Sequence, residues 1–394
     1  MDDKVKLFTK EYIITTCINF CTAINFYLLM IIISDYAMKQ FAAPSSQAGL
    51  AASVFVIGAL IARLFVGKWM ARVGYKQMLL IGVAAGFVMT IPYFFVNNIL
   101  QLIVVRFLHG ATFGIVSTAA ATIIADIVPK GKRGKGIGYY SLSQTLATAI
   151  GPFLGLFLVQ RGGYTGIFVV CTAASVISLV LVPFLSLPKI ELTDKQMKSL
   201  QGFRLSNFIE YKVVAISFIA LLLYVCYSSI VSFLAVYAKE IKLEEAAGFF
   251  FVVYAVVVLF SRPAVGKLFD KRGEHPIMYV SIIMFSAGIY LFSTSYSNVM
   301  LLLAAALIGL GMGAIQLSTQ TIAVQLAPQH RMGLANSTYF MLSDIGMGIG
   351  PLLVGFLIPY SGYRGMYTIV SLVALACVLF YFMLHHKRTK KNEL

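Results

Sequence analysis

Twelve long apolar stretches set the limits on this chain. They fall at about 11–34, 48–70, 77–96, 99–128, 136–159, 164–187, 211–238, 246–269, 276–295, 299–327, 333–359 and 363–384. A bilayer core takes roughly 20 apolar residues per helical span. Each stretch therefore reads as a membrane span, and the expectation is an all-α integral membrane protein of 12 transmembrane helices. Composition agrees: 59% of the 394 residues are hydrophobic and 12% charged. Soluble domains carry about twice that charged fraction. A soluble enzyme, a disordered chain and a collagen-like chain are excluded.

A net charge of +16 could suggest nucleic-acid binding, so its placement matters. With the N-terminus inside, inner segments hold 23 of the 31 Lys and Arg residues and outer segments hold five: Lys39, Arg161, Lys239, Lys242 and Arg364. Arg63, Arg106 and Arg262 lie within apolar runs. Inside-rich basic loops fix orientation. Both termini are therefore expected in the cytoplasm of a multi-pass cell-membrane protein. The charge is a topology signal, and no basic face for nucleic acid remains. The first stretch lacks a small-residue cleavage site and reads as a retained span. The five cysteines all fall in spans, where they read as small packing residues and not as disulfides.

The chain also repeats itself at an offset of 199 residues. RLFVGKWMARVG at 63–74 aligns with RPAVGKLFDKRG at 262–273. Gly110 and Gly114 recur as Gly309 and Gly313, Pro129 as Pro328, and Gly134 as Gly333. Gly151 and Pro152 recur as Gly350 and Pro351, and Gly163, Tyr164 and Gly166 as Gly362, Tyr363 and Gly365. The expected organisation is an N-terminal six-helix bundle over 1–187, a cytoplasmic linker over 188–210, and a C-terminal bundle with a basic tail over 211–394. Parallel repeats related by an axis along the membrane normal are a transporter architecture.

Three motifs carry a family resemblance. Gly67, Trp69, Ala71, Arg72, Gly74 and Lys76 resemble the signature between helices 2 and 3 of the major facilitator superfamily, with Ala71 at its acidic position. The second copy keeps the acid, as Gly266, Leu268, Asp270 and Gly273. LIVVRFLHGATFG at 102–114 resembles the helix 4 signature through Arg106. AIGPFLG at 149–155 resembles the helix 5 motif of drug:proton antiporters, with Leu156 where a second glycine is usual. The resemblance covers the whole chain. It implies the major facilitator fold, with two pseudo-twofold-related bundles. It further implies secondary transport by alternating access, and a pairing of Arg72 with Asp126 that latches the outward-open state.

The glycines have physical roles of their own. Gly67 and Gly74, like Gly266 and Gly273, flank tight turns in which glycine permits positive φ and close helix approach. Gly-Pro at 151–152 and 350–351 lies inside spans, where Pro frees a carbonyl and Gly lets a neighbour approach. These pairs are expected to form a bendable interface between the halves. GLGMG at 309–313 lies in an apolar span without a preceding strand, so it reads as helix packing and not as a dinucleotide loop.

Polar residues inside spans tend to face a cavity or a partner. Spans 3, 6, 9 and 12 have no charge or amide in their interiors and are expected to face lipid on most sides. The others carry Asn19, Asn25, Arg63, Arg106, His109, Gln144, Arg262, Gln316, Gln320 and Asp344. Helical spacing puts Thr15, Asn19, Thr22 and Phe26 on one stripe, Tyr224 and Ser228 on another, Gln316 with Gln320, and His109 with Phe113. With Arg106 these form the candidate substrate cavity, suited to an amphipathic or weakly charged organic molecule. Any single hydroxyl could instead bond its own helix backbone.

Asp344 is the one acid deep within a span, about 16 Å from the inner start of its helix. A buried carboxylate can bind and release a proton near neutral pH, as an antiporter's carrier must; a structural hydrogen bond is the competing role. His109 and Asp35 are further coupling candidates, and Asp35 could alternatively pair with Arg106. His385 and His386 are adjacent, so they should point apart on a helix. No nucleophile–base pair, zinc spacing or phosphate loop supports a membrane enzyme, and no cofactor or metal is expected. The reading is a proton-coupled exporter, monomeric, with the bilayer, a small molecule and protons as partners. A metabolite or sugar-type carrier is the alternative, and a non-transporting receptor a different class.

Overall fold

The computed structural model describes residues 7–187 and 204–387. Most of the expected linker and the basic tail beyond 387 lie outside the described residues. Helix α1 is Lys10–Phe41, α2 Ser45–Val73, α3 Tyr75–Thr90 and α4 Ile99–Ile127. One helical run, Arg133–Leu181, bends at Gly163 and supplies two spans, Lys130–Val159 (α5) and Gly163–Phe184 (α6). Then follow α7 Tyr211–Glu240, α8 Glu244–Arg272, α9 Glu274–Ser293, α10 Asn298–Leu326, α11 Met332–Gly355 and α12 Ile358–Tyr381. A π turn, Phe382–His386, extends α12. Among the described residues, twelve helices are long and apolar enough to cross a membrane.

The repeat in sequence is a repeat in backbone. Gly74 and Gly273 take φ of +93° and +80°, which lets α2 pass to α3, and α8 to α9, through a single residue. Gly163 and Gly362 take φ of +62° and +63° at the matching bends. Asn98 and Ser297, also 199 apart, each cap the helix that follows. The Asn98 side chain accepts from Gln101 N–H at 2.9 Å, and the Ser297 side chain from Met300 N–H at 3.3 Å. Such caps satisfy N–H groups that have no partner within the helix.

Lipid tails are as apolar as leucine, so helices join in a membrane chiefly by close van der Waals contact between small residues. A Cβ at Gly110 would strike the Phe55 carbonyl of α2, and one at Gly114 would lie 2.6 Å from the Ala59 carbonyl oxygen. The matching positions repeat the arrangement. Gly309 lies against Tyr254, with a Cβ 3.0 Å from its carbonyl oxygen, and Gly313 lies against Val258. So α2 packs backbone to backbone on α4, and α8 on α10.

The described residues form two compact units. The first holds Met1–Pro129, Tyr140–Glu210 and Pro328–Thr338; the second holds Lys130–Tyr139, Tyr211–Ala327 and Tyr339–Leu394. The start of α5 thus belongs with the second unit, and the start of α11 with the first.

Two expectations change. Gly151 abuts Tyr27 and Leu28 of α1, and Gly350 abuts Val225 and Ser228 of α7. These glycines serve packing inside one unit each, because the neighbour that leaves no room for a side chain lies in the same unit. The idea that every third helix is largely lipid-facing also fails for α9. Its apolar window is 56% buried, against 22% for α8, because α9 packs on both α10 and α12. Large exposed apolar side chains occur on α6 and α12, such as Val180 and Leu372, but also on α5 and α8, at Phe153 and Phe260.

Gly110→Val should overpack the α2/α4 contact and destabilise the protein by about 1–3 kcal/mol. The check is thermal unfolding in detergent. An unchanged midpoint would show that this close approach contributes little.

Candidate functional site

In the first unit, the polar side chains of α1 mostly bond to helices beside them. Asn19 Nδ2 donates to Ser143 Oγ of α5 at 2.8 Å, and Asn25 Nδ2 to Ser175 Oγ of α6 at 2.9 Å. Thr22 Oγ1 donates to the Ile18 carbonyl of its own helix. Phe26 sits among Tyr27, Phe55 and Phe113, stacked on Phe113 with centroids 5.1 Å apart. His109 Nδ1 meets the Tyr93 hydroxyl at 3.1 Å. A cavity of about 20 Å³ lies among Asn25, Phe26, Phe55, His109, Phe113 and Ser175. That is room for about one water, far below the 300 Å³ or more of a drug-sized pocket.

Arg106 is fully buried. Its Nε donates to the Ala51 carbonyl at 3.2 Å, and its guanidinium lies 4.5 Å from the centre of the Phe55 ring. Asp35 is not its partner. Asp35 lies beyond the apolar window of α1, where it accepts from the Tyr164 hydroxyl at 2.6 Å and pairs with Lys39 at 3.0 Å. The Tyr164 hydrogen bond, followed by Lys39, holds its carboxyl below the ordinary range. A group so anchored in its ionised form is poorly suited to carry a proton near neutral pH.

The second unit holds the denser polar cluster. Arg262 Nη2 donates to Gln316 Oε1 at 2.6 Å. The Tyr339 hydroxyl lies 3.1 Å from Thr319 Oγ1 and 3.2 Å from the Gln316 carbonyl, with the Tyr224 side chain next to it. Tyr227 of α7 and Tyr254 of α8 stack, with centroids 5.7 Å apart. Gln316, Tyr224 and Arg262 are thereby brought together. Gln320 is buried on α10, and Ser228 bonds its own helix at the Val225 carbonyl. Asp344 is half-buried on α11. Sequence reasoning missed Tyr339, although a signal existed: it repeats Tyr140 at the offset of 199.

The paired turn motifs act on helix starts. Asp270 Oδ1 accepts from Gly134 N–H at 2.7 Å, and Oδ2 from Lys135 N–H at 2.8 Å. One carboxylate from α8 thus caps the start of α5, while Gly266 lies against the Gly134 carbonyl. In the first copy, Gly67 lies against Gly333, Leu334 and Ser337 at the start of α11. Ala71 has no side-chain oxygen to offer, and this helix start is held by other groups. Asp126 Oδ1 accepts from Gln329 Nε2 at 2.8 Å, and the Tyr75 hydroxyl donates to the Gln329 carbonyl at 3.1 Å. Ser337 donates to the Arg63 carbonyl. Arg331 pairs with Glu210 and donates to the Ser206 carbonyl at 2.7 Å. Asp126 therefore meets the segment before α11. Lys76 Nζ donates to the Pro183 and Leu185 carbonyls after α6, while Arg72 is exposed in the last turn of α2.

The Major Facilitator Superfamily family model matches residues 15–351 and 273–394. An uncharacterised MFS-type transporter of Methanocaldococcus jannaschii is 27% identical, over 90% of this chain and 93% of that one. The multi-drug resistance efflux pump PmrA of Streptococcus pneumoniae is 28% identical, over 84% of each. The multidrug resistance protein MdtG of Dickeya zeae is 26% identical, over 95% and 94%. Two solved structures share the fold: the human organic anion transporter MFSD10 (TM-score 0.76, 15% identity, 94% of this chain and 98% of that one) and the proton:xylose symporter XylE (TM-score 0.75, 14%, 95% and 94%).

Asp270→Ala removes both caps at once and should cost about 1–2 kcal/mol. Faster amide exchange at Gly134 and Lys135, with the α11 start unchanged, is the expected signature. Equal exchange in both proteins would remove the capping role.

Proposed function

The chain belongs to the major facilitator superfamily, as the family match over most of its length shows, and from that premise we propose that it exports a small amphipathic organic compound in exchange for protons. It is a membrane transporter and not an enzyme. The efflux pumps PmrA and MdtG, matched over most of their length, support export. The observation that carries proton exchange is Asp344, a half-buried carboxylate within the span of α11. Charge inside a span is expensive and usually functional. A carboxylate there can alternate between a charged state and a protonated, neutral one as the site opens to either side.

The cargo side of the proposal rests on Gln316, Tyr224, Tyr339 and the aromatic pair Tyr227/Tyr254 in the second unit. Amides, hydroxyls and ring faces suit an amphipathic molecule better than a phosphorylated one. In the first unit, Asn19, Thr22, Phe26, Arg106 and Phe113 act mainly through packing and hydrogen bonds. The two six-helix halves alternate access, and the contact of Asp126 with Gln329 contributes to the latch. The protein sits in the cell membrane with both termini in the cytoplasm, as the 23 inner against five outer basic residues support, and works as a monomer.

The test is flux in proteoliposomes with an imposed pH gradient, against a panel of organic cations and neutral amphiphiles. Asp344→Asn should abolish gradient-driven flux, weaken the binding of organic cations and keep that of neutral amphiphiles; persisting flux removes Asp344 as carrier. Asp126→Asn should slow transport at unchanged expression, by about fivefold if the exposed bond to Gln329 is worth the about 1 kcal/mol of a typical hydrogen bond. A wild-type rate would remove it from the latch.

A further inference from the structure

The two copies of the turn signature treat their helix starts differently. In the second unit, Gly266 lies against Gly134 and Lys135, and Asp270, one turn later, accepts from both of their N–H groups. In the first unit, Gly67 lies against Gly333 and Leu334, the matching residues, and Ala71 stands one turn later. The backbone cradle is kept and its carboxylate is missing. Among the described residues, no side chain accepts from the Gly333 or Leu334 N–H. An acid arrives from another direction. Glu210, buried just before α7, pairs with Arg331 in the turn ahead of α11. The Glu210 N–H donates to Thr338 Oγ1 of α11 at 3.0 Å. Arg331 also donates to the Ser206 carbonyl at 2.7 Å, so the segment 204–210 holds it at two points. Phe208 of that segment meets α2 beside the signature. Lys68 Nζ lies 4.6 Å from its ring centre, and Phe65 is edge-on to it at 5.8 Å. The repeat supplies a contrast. Glu210 matches Glu11 at the offset of 199, and among the described residues the Glu11 carboxylate has no hydrogen bond or ion pair. The matching glutamate is idle, and the matching signature keeps its acid.

We propose that Glu210 is a positioning residue that takes over the work of the acid lost at Ala71, fixing the start of α11 through Arg331. A cation in the turn ahead of a helix opposes the positive end of the helix dipole. Glu210 cancels that charge, and its N–H ties the same segment to α11 at Thr338. The pair is largely shielded, with side chains 17% and 6% exposed for Arg331 and Glu210, so solvent ions screen it little. A carboxylate on α2 would bind the helix N–H groups directly. Glu210 works through a second side chain, so the hold on α11 depends on Arg331 and on the end of the central connection. This deepens the latch reading given above, in which Asp126 of α4 meets Gln329 of the same turn. The two acids are then alternatives. With a carboxylate restored at position 71, the start of α11 no longer needs Glu210.

Hydrogen–deuterium exchange on the full-length protein in nanodiscs tests this, read on the 332–338 segment of the wild type, Glu210→Gln, Ala71→Asp and the double variant. The readout is not flux, so it stands or falls separately from proton-coupled export. Glu210→Gln should raise exchange of the segment about tenfold, the factor for one hydrogen bond to a charged group, with α10 unchanged. Ala71→Asp should slow exchange at Gly333 and Leu334. In the Ala71→Asp background, Glu210→Gln should have little further effect, because groups that share one task are not additive. A glutamate that served only its own segment would give the same rise in both backgrounds, and that result overturns the proposal. Wild-type exchange in Glu210→Gln overturns it as well. Ala71→Asn, an uncharged acceptor of the same length, is the second restoring variant, and failure of both to slow exchange at Gly333 and Leu334 also overturns it.

Discussion

The structure depends on how closely α4 can approach α2, and α10 can approach α8. With no hydrophobic drive between helices in lipid, association needs atoms in contact, and glycine brings whole backbones together. Gly110 and Gly114 do this on α4, against Phe55 and Ala59. The same contact decides what the polar neighbours can reach. Arg106 lies one turn before Gly110, so its guanidinium is delivered to the Ala51 carbonyl and the Phe55 ring of the facing helix. His109, beside Gly110, is set edge-on to Phe55 and within reach of Tyr93. In the second unit, Gly309 and Gly313 set α10 on α8 in the same way, which carries Gln316 to Arg262.

The turn motifs show how one architecture tolerates unequal copies. A helix start exposes N–H groups that need acceptors. Asp270 answers two of them at α5. Its counterpart, Ala71, cannot, and the start of α11 is held by contacts spread over several elements. Asn336 Nδ2 reaches Thr122 of α4 at 3.2 Å, and the Thr338 hydroxyl accepts from Glu210 N–H at 3.0 Å. Glu210 pairs with Arg331, and Phe208 lies beneath the Lys68 ammonium, 4.6 Å away. The end of the chain's central connection therefore does structural work at the place where the signature has lost its acid.

What could be read from the residues follows from which interactions are local. Hydrophobic span length, the basic bias and the offset of 199 depend on short windows or on matching letters. They led to twelve spans and to positive φ at Gly74 and Gly273. Side-chain partners across helices depend on rotation and register, which those windows do not hold. The stripe containing Asn19 was legible, but its bond to Ser143, 124 residues away, was not. Gly151 was legible as a close-approach site, but not that α1 would be the helix approached. Adjacent His385 and His386 were assigned opposite directions because an α-helix was assumed; the π turn carries both to α9.

Counting charges alone would make the membrane interior cationic, with Arg63, Arg106 and Arg262 against Asp344, and would argue for an anionic cargo. Two of the three arginines already have neighbours within the protein. Arg106 is fully buried on a carbonyl and a ring, and Arg262 is engaged by Gln316. Turning either toward a cargo would break bonds that hold neighbouring helices together and leave a buried carbonyl or amide unsatisfied, at about 1–3 kcal/mol per group. Asp344 is less deeply buried than Arg106 and bears the opposite charge. In the proposed exchange, an ionised Asp344 with tyrosine faces in the same unit favours a cationic amphiphile, since ring faces also attract cations. Protonating that carboxylate removes its attraction for such a cargo. Proton and cargo then compete for one charge, and that competition is the physical basis on which a two-way exchange can be coupled.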